Sequence, residues 1–312
     1  MDTENKLAIV IPAYKHQFLS QALQSIANQT CKRFTLYIGD DASPHDLKTI
    51  VEPYKSEIYI VYNRFENNLG AISLTRQWDR CIKLSRNEEY IWLFSDDDRM
   101  PSDAVERFYQ YIGLHPECEV FRFNLQLIDE TNNTIREASN HPGLESSVDF
   151  IKRRLSFSTL SAACEYIFLR EAYLKSGGFV EFPLAWCSDD ATWSLLALGH
   201  GIVTIKGKPV LMRMSNGMNI SSDNSMNKTK FNAVLLFIAW IQEKFKTEIT
   251  DDLFYRYLQS QLNYLSLPFF QRISFFQHLS RICSLSSTIS LIMNKSKYYK
   301  FNKWYNQQLK NA

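Results

Sequence analysis

The chain has 312 residues, of which 45% are hydrophobic and 22% are charged, and its formal net charge is +2. These proportions are ordinary for a folded globular protein and exclude a long disordered chain. The near-neutral charge argues against a nucleic-acid-binding surface over the whole chain. The length suits one large domain or about two.

The N-terminal residues and the cysteines both bear on cellular location. Residues 1–6 are polar and lead directly into an apolar run, so we expect no signal peptide. The six cysteines are scattered without C-x-x-C spacing, which favours reduced core residues of a cytoplasmic protein over a disulfide framework or a zinc site. The most apolar window, residues 231–241, is shorter than the ~20 residues that span a bilayer.

Strand and helix patterns alternate through the first 112 residues. Short apolar runs predict strands, and apolar residues at helical spacing predict amphipathic helices between them. The predicted strands cover residues 7–14, 34–39, 58–62 and 90–94. This alternation predicts a parallel sheet with right-handed crossovers, a Rossmann-like nucleotide-binding half. Neither G-x-G-x-x-G nor a Walker A sequence occurs, so a dinucleotide site and a P-loop lose support.

The pattern changes from Glu117 onward. Residues 120–127 alternate apolar and polar side chains, and residues 131–134 supply a turn, which predicts a hairpin or a mixed sheet edge. Further predicted elements are a strand at 161–169, a short helix that stops at Gly177, a helix that ends at Gly199, and two short strands at 202–205 and 210–214. After the second strand of the chain, Ser43, Pro44 and Asp46 predict a helix start with Ser43 as its N-cap.

Residues 223–312 are predicted to form an appended C-terminal helical segment. Its tail, between Lys295 and Lys310, mixes lysines with tyrosine, phenylalanine and tryptophan. A surface helix at an anionic membrane interface fits this composition. A solvated face whose aromatic side chains pack on the main body of the protein fits it equally well.

Three consecutive acids follow the fourth predicted strand directly. Asp96, Asp97 and Asp98 would repel one another in a low dielectric unless a cation offsets their charge. Oxygen ligands alone suit Mg²⁺ or Mn²⁺. In an α/β sheet, ligands bind at the carboxyl ends of the strands, which is where these acids would lie. The sequence therefore predicts a divalent-metal site here.

Two further acids open a predicted helix. Asp189 and Asp190 would lie in its first turn, where the helix dipole favours the ionised form by about 0.3 to 1 kcal/mol. An ionised Asp190 is able to accept a proton, although acids at this position also serve stability alone. Arg213, just before a polar loop, is either a phosphate ligand or the partner of a carboxylate at the sheet edge.

Seven motifs occur in order along residues 6–222 and together resemble the family 2 glycosyltransferases, which have a GT-A fold. They are Ile9–Tyr14, Leu23–Thr30, Ile38–Ser43, Asn67–Gly70, Asp96–Asp98 with Pro101, Gly177–Phe179 and Ser188–Asp190. The last ~90 residues carry no part of this resemblance.

The resemblance implies a metal-dependent enzyme that transfers a hexosyl-type sugar, with inversion, from a nucleoside diphosphate sugar to an acceptor hydroxyl. It implies that Pro12, Ala13, Tyr14 and Asp41 surround the nucleoside. The metal-binding D-x-D motif maps to Asp96 and Asp98, with Asp98 as the expected direct ligand, and Asp97 contributes to the nucleotide site. The alternative register makes Asp97 and Asp98 the metal-binding pair.

In the family, the base is the second acid of a Glu-Asp pair, which maps to Asp190. This chain has Asp189 at the first position, so the choice between Asp189 and Asp190 stays open. The fold expected is an α/β, Rossmann-like mixed sheet flanked by helices. Its GT-A domain covers residues 1–222, with a nucleotide-binding half (1–112) and an acceptor half (113–222), and residues 223–312 form the helical segment.

The expected partners are a donor nucleotide sugar, most simply a UDP-sugar, Mn²⁺ or Mg²⁺, and a glycan or lipid-linked acceptor, as in bacterial surface polysaccharide or glycolipid assembly. We expect no nucleic-acid partner and a cytoplasmic location, with peripheral membrane contact through the tail; a homodimer is left open. The rival interpretations are a non-catalytic nucleotide-sugar-binding scaffold and a sugar-phosphate nucleotidyltransferase. The second would call for a Gly-rich loop after the first strand, which residues 12–15 do not offer.

Overall fold

The computed structural model describes residues 5–137, 140–215, 220, 223–245 and 248–265. The chain divides between Asp223 and Asn224 into two compact units. The tail between Lys295 and Lys310, for which a membrane contact is predicted, lies outside the described residues, as does Cys283.

The first unit contains a mixed sheet and its flanking helices. The strands are β1 (Leu7–Ala13), β2 (Phe34–Asp40), β3 (Ile60–Arg64), β4 (Tyr90–Leu93), β5 (Val120–Ile128), β6 (Thr134–Glu137), β7 (Leu144–Glu145), β8 (Tyr166–Leu169) and β9 (Ile202–Arg213). The helices are α1 (Leu19–Ala27), α2 (Leu47–Val51), α3 (Leu74–Ile82), α4 (Ala104–Leu114), α5 (Ser147–Leu155), α6 (Arg170–Ser176) and α7 (Ser188–Leu196).

The sheet has the strand order β3-β2-β1-β4-β8-β5-β9-β7, and β6 pairs with β5. Strands β3, β2, β1 and β4 are parallel, which confirms the parallel sheet predicted from the alternating pattern. Strand β8 is antiparallel to both neighbours, β4 and β5, so the sheet is mixed. Because β1, β2 and β4 run in the same direction, the loops that follow them leave at one edge of the sheet.

The core explains why the first strands are mainly apolar. Every residue of β2 and β4 is buried, because helices cover both faces of the parallel half. Trp92 of β4 stacks on Phe123 of β5, with ring centroids 5.0 Å apart. Burial of one such large side chain typically stabilises a fold by about 1.5–3 kcal/mol.

The predicted start of α2 is wrong. The helix begins at Leu47 with Asp46 as its N-cap, whose side chain accepts a hydrogen bond from the Thr49 amide. The Ser43 hydroxyl instead donates to the carbonyl oxygen of Tyr14 at 2.7 Å. Ser43 therefore joins the loops after β1 and β2 and does not cap a helix.

Two predicted strand assignments also differ from the structure. The predicted strand at 161–169 is shorter, because Ala163–Glu165 form a 3-10 turn and only Tyr166–Leu169 are extended. The two strands predicted at 202–205 and 210–214 form one continuous strand, β9, whose pairing with β5 shifts register between Phe123 and Leu125. The predicted hairpin is confirmed by the antiparallel pair β5 and β6.

The predictions for Gly177 and for the cysteines agree with the structure, whereas the helix predicted to end at Gly199 ends at Leu196. Helix α6 ends at Gly177, whose φ of 88° is the left-handed conformation that glycine adopts without strain. The five cysteines in the described residues are free, and Cys81, Cys118 and Cys164 are buried.

The second unit contains helices α8 (Asn227–Lys244) and α9 (Asp251–Tyr264). The Thr250 side chain caps α9 by accepting a hydrogen bond from the Leu253 amide, and Phe237 packs edge-on against Tyr257. Of the helices in the described ranges, none combines the length and the apolar character needed to cross a membrane.

Candidate active site

A cavity of about 790 Å³ opens at the sheet edge where β1 and β4 end. Most of the residues singled out from the sequence line it: Pro12, Tyr14, Asp41, Asp96, Asp97, Asp98 and Asp189. Ala13 is fully buried in β1, and Asp190 is buried beside α5. The apolar part of the wall includes Leu74 and Trp78 of α3.

Asp96 fixes the loop after β1. One of its carboxylate oxygens, Oδ2, accepts hydrogen bonds from the backbone amides of Tyr14 at 2.8 Å and Lys15 at 2.7 Å. The Tyr14 side chain is left 42% exposed. An exposed aromatic ring on a loop that is held in place by hydrogen bonds is suited to pack against a planar ligand.

Asp41 joins two loops at the cavity wall. Its carboxylate accepts hydrogen bonds from the amides of Leu69 and Gly70, both at 2.8 Å, and from the guanidinium of Arg80 at 2.5 Å. A Cβ at position 70 would lie 2.6 Å from Asp41 Oδ2, so this close approach requires glycine. The structure thus shows how Asp41 orders the wall, while a contact with ribose or base stays a prediction.

The three consecutive aspartates are all buried to 5% exposure or less. Asp98 Oδ1 accepts a hydrogen bond from the Arg213 amide at 2.8 Å, and the side chains of Cys164 and Ser95 also bond to its carboxylate. Burial, and then repulsion by Asp97, raise the pKa of Asp96 to about 6 and the pKa of Asp98 to about 7. The cluster therefore holds more negative charge than its surroundings stabilise.

This donor set fits a divalent cation. Carboxylate oxygens are the ligands that Mg²⁺ and Mn²⁺ prefer, and a bound ion would offset the charge that raises these pKa values. Three side chains can share one ion only if their ligand atoms lie close together. Among the described residues, His115, Glu117 and Cys118 have ligand atoms within 4.8 Å of one another, whereas the three aspartates do not. We therefore expect two of the three aspartates, rather than all three, to bind one ion directly.

Two basic residues lie at this cluster. The Lys15 ammonium group forms an ion pair with Asp97 and lies 3.8 Å from Asp96 Oδ1. Arg213 is fully buried, and its guanidinium donates to the carbonyl oxygens of Asp97 at 3.0 Å and Asp129 at 2.7 Å. Burial lowers the pKa of Arg213. The sequence analysis offered a phosphate or a carboxylate as the partner of Arg213, whereas the structure shows its guanidinium bound to backbone carbonyl oxygens.

Asp189 and Asp190 differ sharply in environment. Asp190 is 3% exposed and bound by Arg154, whose Nε lies 2.8 and 2.9 Å from its two oxygens and whose Nη2 lies 2.7 Å from Oδ2. Asp189 is half-buried and lines the cavity. Burial, and then repulsion by Asp190, raise the pKa of Asp189 to about 7, although Arg154 acts in the opposite direction.

The preference for Asp190 as a base is therefore not supported by the geometry. Its carboxylate already accepts three close contacts from Arg154 and does not line the cavity, whereas Asp189 does. Non-glycine residues with positive φ, Leu184 at 61° and Cys187 at 65°, lie just before α7 in the segment that leads to these acids. The backbone path before a helix, which sequence patterns do not specify, decides which acid faces the cavity.

Sequence reasoning missed Lys15, Arg154 and Cys164. Lys15 is the first residue after the first predicted strand, so the sequence already indicated that it lies at the sheet edge. Arg154 lies in a basic run on α5 and is 36 residues from Asp190 along the chain, so nothing local connects the two. Cys164 bonds Asp98 because the 3-10 turn at Ala163–Glu165 carries it there.

The sequence profile of glycosyl transferase family 2 matches residues 8–175, more than half of the chain. Among curated proteins, the chain is similar to the GalNAc(5)-diNAcBac-PP-undecaprenol beta-1,3-glucosyltransferase of Campylobacter jejuni, with 23% identity over 181 residues. That match covers 56% of this chain and 55% of the relative, so the chain matches only about half of that protein's length.

Solved structures with similar folds include S. aureus TarS in complex with UDP-GlcNAc. It has a TM-score of 0.61 and 17% identity, and the match covers 83% of this chain and 72% of TarS. The mannosyltransferase PcManGT from Pyrobaculum calidifontis, in complex with GDP-Man and Mn²⁺, has a TM-score of 0.51 and 11% identity over 98% of this chain and 84% of its own. At these identities the likeness shows the fold, which is the GT-A fold.

Proposed function

The chain belongs to glycosyl transferase family 2, and from that premise we propose that it transfers a hexosyl-type sugar from a nucleoside diphosphate sugar to an acceptor hydroxyl, with inversion. One observation carries this proposal. A single cavity at the sheet edge is lined both by the three consecutive aspartates and by Asp189, a separate carboxylate from another element. A cation-binding cluster together with a separate proton acceptor is what such a transfer needs.

The donor side is the wall after β1 and β2. Pro12, Tyr14 and Asp41 line it, and we assign the nucleoside to this wall and the diphosphate to the region of Asp96, Asp97 and Asp98. Residues 1–112 form the nucleotide-binding half in this assignment, and residues 113–222 the acceptor half. A UDP-sugar is the proposed donor, and the description of TarS in complex with UDP-GlcNAc supports it.

We propose that the reaction depends on Mn²⁺ or Mg²⁺. Asp98, together with either Asp96 or Asp97, would hold the ion. A bound ion would neutralise charge on the departing diphosphate. The oxygen-only donor set, the burial of the three carboxylates and the raised pKa values of Asp96 and Asp98 support this assignment. PcManGT, described with GDP-Man and Mn²⁺, supports it further.

Asp189 is the proposed general base. The acceptor hydroxyl transfers its proton to Asp189 as its oxygen bonds to the anomeric carbon, and the bond from that carbon to the diphosphate breaks on the opposite face. Inversion follows from this single displacement, and no covalent nucleophile is needed. Burial, and then repulsion by Asp190, raise the pKa of Asp189 and so increase its basicity, and Arg154 binds Asp190 at the neighbouring position.

The acceptor is proposed to be a glycan or lipid-linked glycan of bacterial surface polysaccharide or glycolipid assembly. The name of the Campylobacter jejuni relative, a transferase acting on an undecaprenol-linked glycan, supports this class. A cytoplasmic location, with peripheral membrane contact through the tail between Lys295 and Lys310, belongs to the same proposal.

A thermal-shift screen of UDP, GDP, dTDP and their sugars, with and without Mn²⁺, tests donor binding. A ligand that binds only the folded protein raises its melting temperature, and we expect the largest increase for a UDP-sugar with Mn²⁺. Release of UDP in the presence of glycan acceptors then tests transfer. Donor binding without turnover on any acceptor would support a non-catalytic binding protein, and no nucleotide binding at all would refute the proposal.

A further inference from the structure

Lys15 places a positive charge inside the aspartate cluster. Its ammonium group forms an ion pair with Asp97 and lies 3.8 Å from Asp96 Oδ1. Its side chain is 28% exposed, and Lys15 lines the cavity. Lys15 is therefore a charged group whose partners are carboxylates of the proposed metal site.

The backbone holds Lys15 in this position. Its amide donates to Asp96 Oδ2 at 2.7 Å, and the preceding carbonyl of Tyr14 accepts a hydrogen bond from Ser43 at 2.7 Å. The loop is thus tied to both the β2 and β4 ends of the sheet. Because the backbone is fixed, the ammonium group can move only by rotation of the Lys15 side chain. It therefore stays within reach of Asp97 and of any anion bound beside it.

An ion at Asp97 and the Lys15 ammonium group exclude each other at close range, since two cations that share one carboxylate repel. A nucleoside diphosphate that enters the cavity supplies new oxygen partners for the ammonium group. The lysine therefore has two sets of partners, the carboxylates in the free protein and the diphosphate in the complex.

We propose that Lys15 is a tethered cation of the donor site, which binds the donor diphosphate directly and competes with the divalent ion for Asp97. The inference rests on the proposed function, because it assigns the diphosphate to this cavity. Two consequences follow. Nucleoside diphosphates bind measurably without metal, and the metal binds weakly until a nucleotide draws Lys15 away from Asp97.

The test compares Lys15→Met, which keeps most of the apolar stem but removes the charge, with Lys15→Arg, which keeps the charge. Lys6→Met is the matched control, because Lys6 also forms an ion pair, with Glu89 at 3.1 Å, but does not line the cavity. Mn²⁺ binding is measured from the electron paramagnetic resonance signal of the free ion. Binding of UDP and GDP is measured by calorimetry in EDTA and again in Mn²⁺.

In Lys15→Met we expect Mn²⁺ to bind about tenfold more tightly without nucleotide, and UDP to bind about tenfold more weakly in EDTA, which is the size of effect that a lost charge-assisted hydrogen bond gives. Lys15→Arg should retain binding of UDP in EDTA, and Lys6→Met should match the wild type in both assays. Circular dichroism melting curves establish that each variant is folded at the assay temperature.

Unchanged Mn²⁺ affinity in Lys15→Met would overturn the competition, and unchanged UDP affinity in EDTA would overturn the diphosphate contact. A wild-type protein that binds Mn²⁺ but no nucleoside diphosphate under any condition would refute the proposed function and the diphosphate contact together. The Mn²⁺ comparison would still decide, in that case, whether Lys15 obstructs the aspartate cluster.

Discussion

The aspartate cluster after β4 and the aspartate pair at the start of α7 each form an ion pair with a basic side chain, yet they are arranged differently. At the cluster, Lys15 contacts Asp97 from the cavity side and is itself part of the cavity wall. At the pair, Arg154 binds Asp190 with its planar guanidinium, while Asp189 is the acid that lines the cavity.

The two regions differ in how easily a bound ligand can displace the basic side chain, which is Lys15 at the cluster and Arg154 at the pair. A lysine ammonium is a point charge on a flexible stem, so an incoming cation or anion can take its place. An arginine that binds both oxygens of one carboxylate is a more fixed partner. The first arrangement suits an exchangeable ligand, and the second leaves Asp189 as the acid of the pair that lines the cavity.

The largest effect is expected for Asp189→Asn, which removes the proposed proton acceptor and retains the side-chain shape. Turnover should fall by ~10² to 10⁴-fold, the usual contribution of a positioned general base, while the affinity for UDP with Mn²⁺ stays within about twofold. Initial rates and calorimetry measure the two quantities. If turnover survives in Asp189→Asn and is lost in Asp190→Asn, the assignment from the cavity geometry is wrong.

Arg154→Leu separates the structural acid from the catalytic one. It leaves the Asp190 carboxylate, 3% exposed, without the guanidinium that binds it. Loss of one partner of a buried ion pair destabilises proteins by 3–5 kcal/mol; we expect about 3 kcal/mol, because Arg154 is partly exposed. Urea unfolding followed by circular dichroism measures the free energy of unfolding, and adding Asp190→Asn should restore part of the loss.

Asp98→Asn tests the metal-binding cluster. We expect the rise in melting temperature on adding Mn²⁺ with UDP to disappear and UDP affinity in Mn²⁺ to fall by about tenfold or more, because a direct ligand is lost. Without ligand, the substitution should instead raise the melting temperature at pH 8. A folded-state pKa of about 7 for Asp98 stabilises the fold at low pH, and that stabilisation is lost as the pH rises through 7.

Asp98→Asn should therefore be less sensitive than the wild type to a rise in pH from 5 to 8, when melting temperatures are measured in EDTA. A variant that still shows the full Mn²⁺-dependent shift would instead indicate Asp96 and Asp97 as the metal ligands.

The smallest expected effect is on the pH dependence of turnover. A base with a pKa of about 7 must lose its proton to act, so turnover should decline toward tenfold per pH unit below 7 and level off above it. Asp190→Asn removes the repulsion that raises the pKa of Asp189, so the decline in turnover should begin at a lower pH. If turnover declines at the same pH in Asp190→Asn as in the wild type, the two acids are not coupled.

Part of the fold and of the site could be predicted locally. The mainly apolar runs of β1, β2 and β4 predicted a buried parallel sheet, and three consecutive acids at the exit of β4 predicted a charged cluster at its edge. Local signals failed where a polar side chain had a choice of partners. Ser43 has the sequence position of an N-cap, but its hydroxyl bonds to the Tyr14 carbonyl from a neighbouring strand's loop.

The sequence by itself determined that the first half forms a parallel sheet, that Asp96–Asp98 lie at its edge and which acids are candidates, because periodicity and turn residues act over a few neighbours. Only the tertiary structure decided that Lys15 enters the aspartate cluster and that Arg154 binds Asp190, because each contact joins elements that are 36 to 82 residues apart along the chain. No local pattern contains either contact.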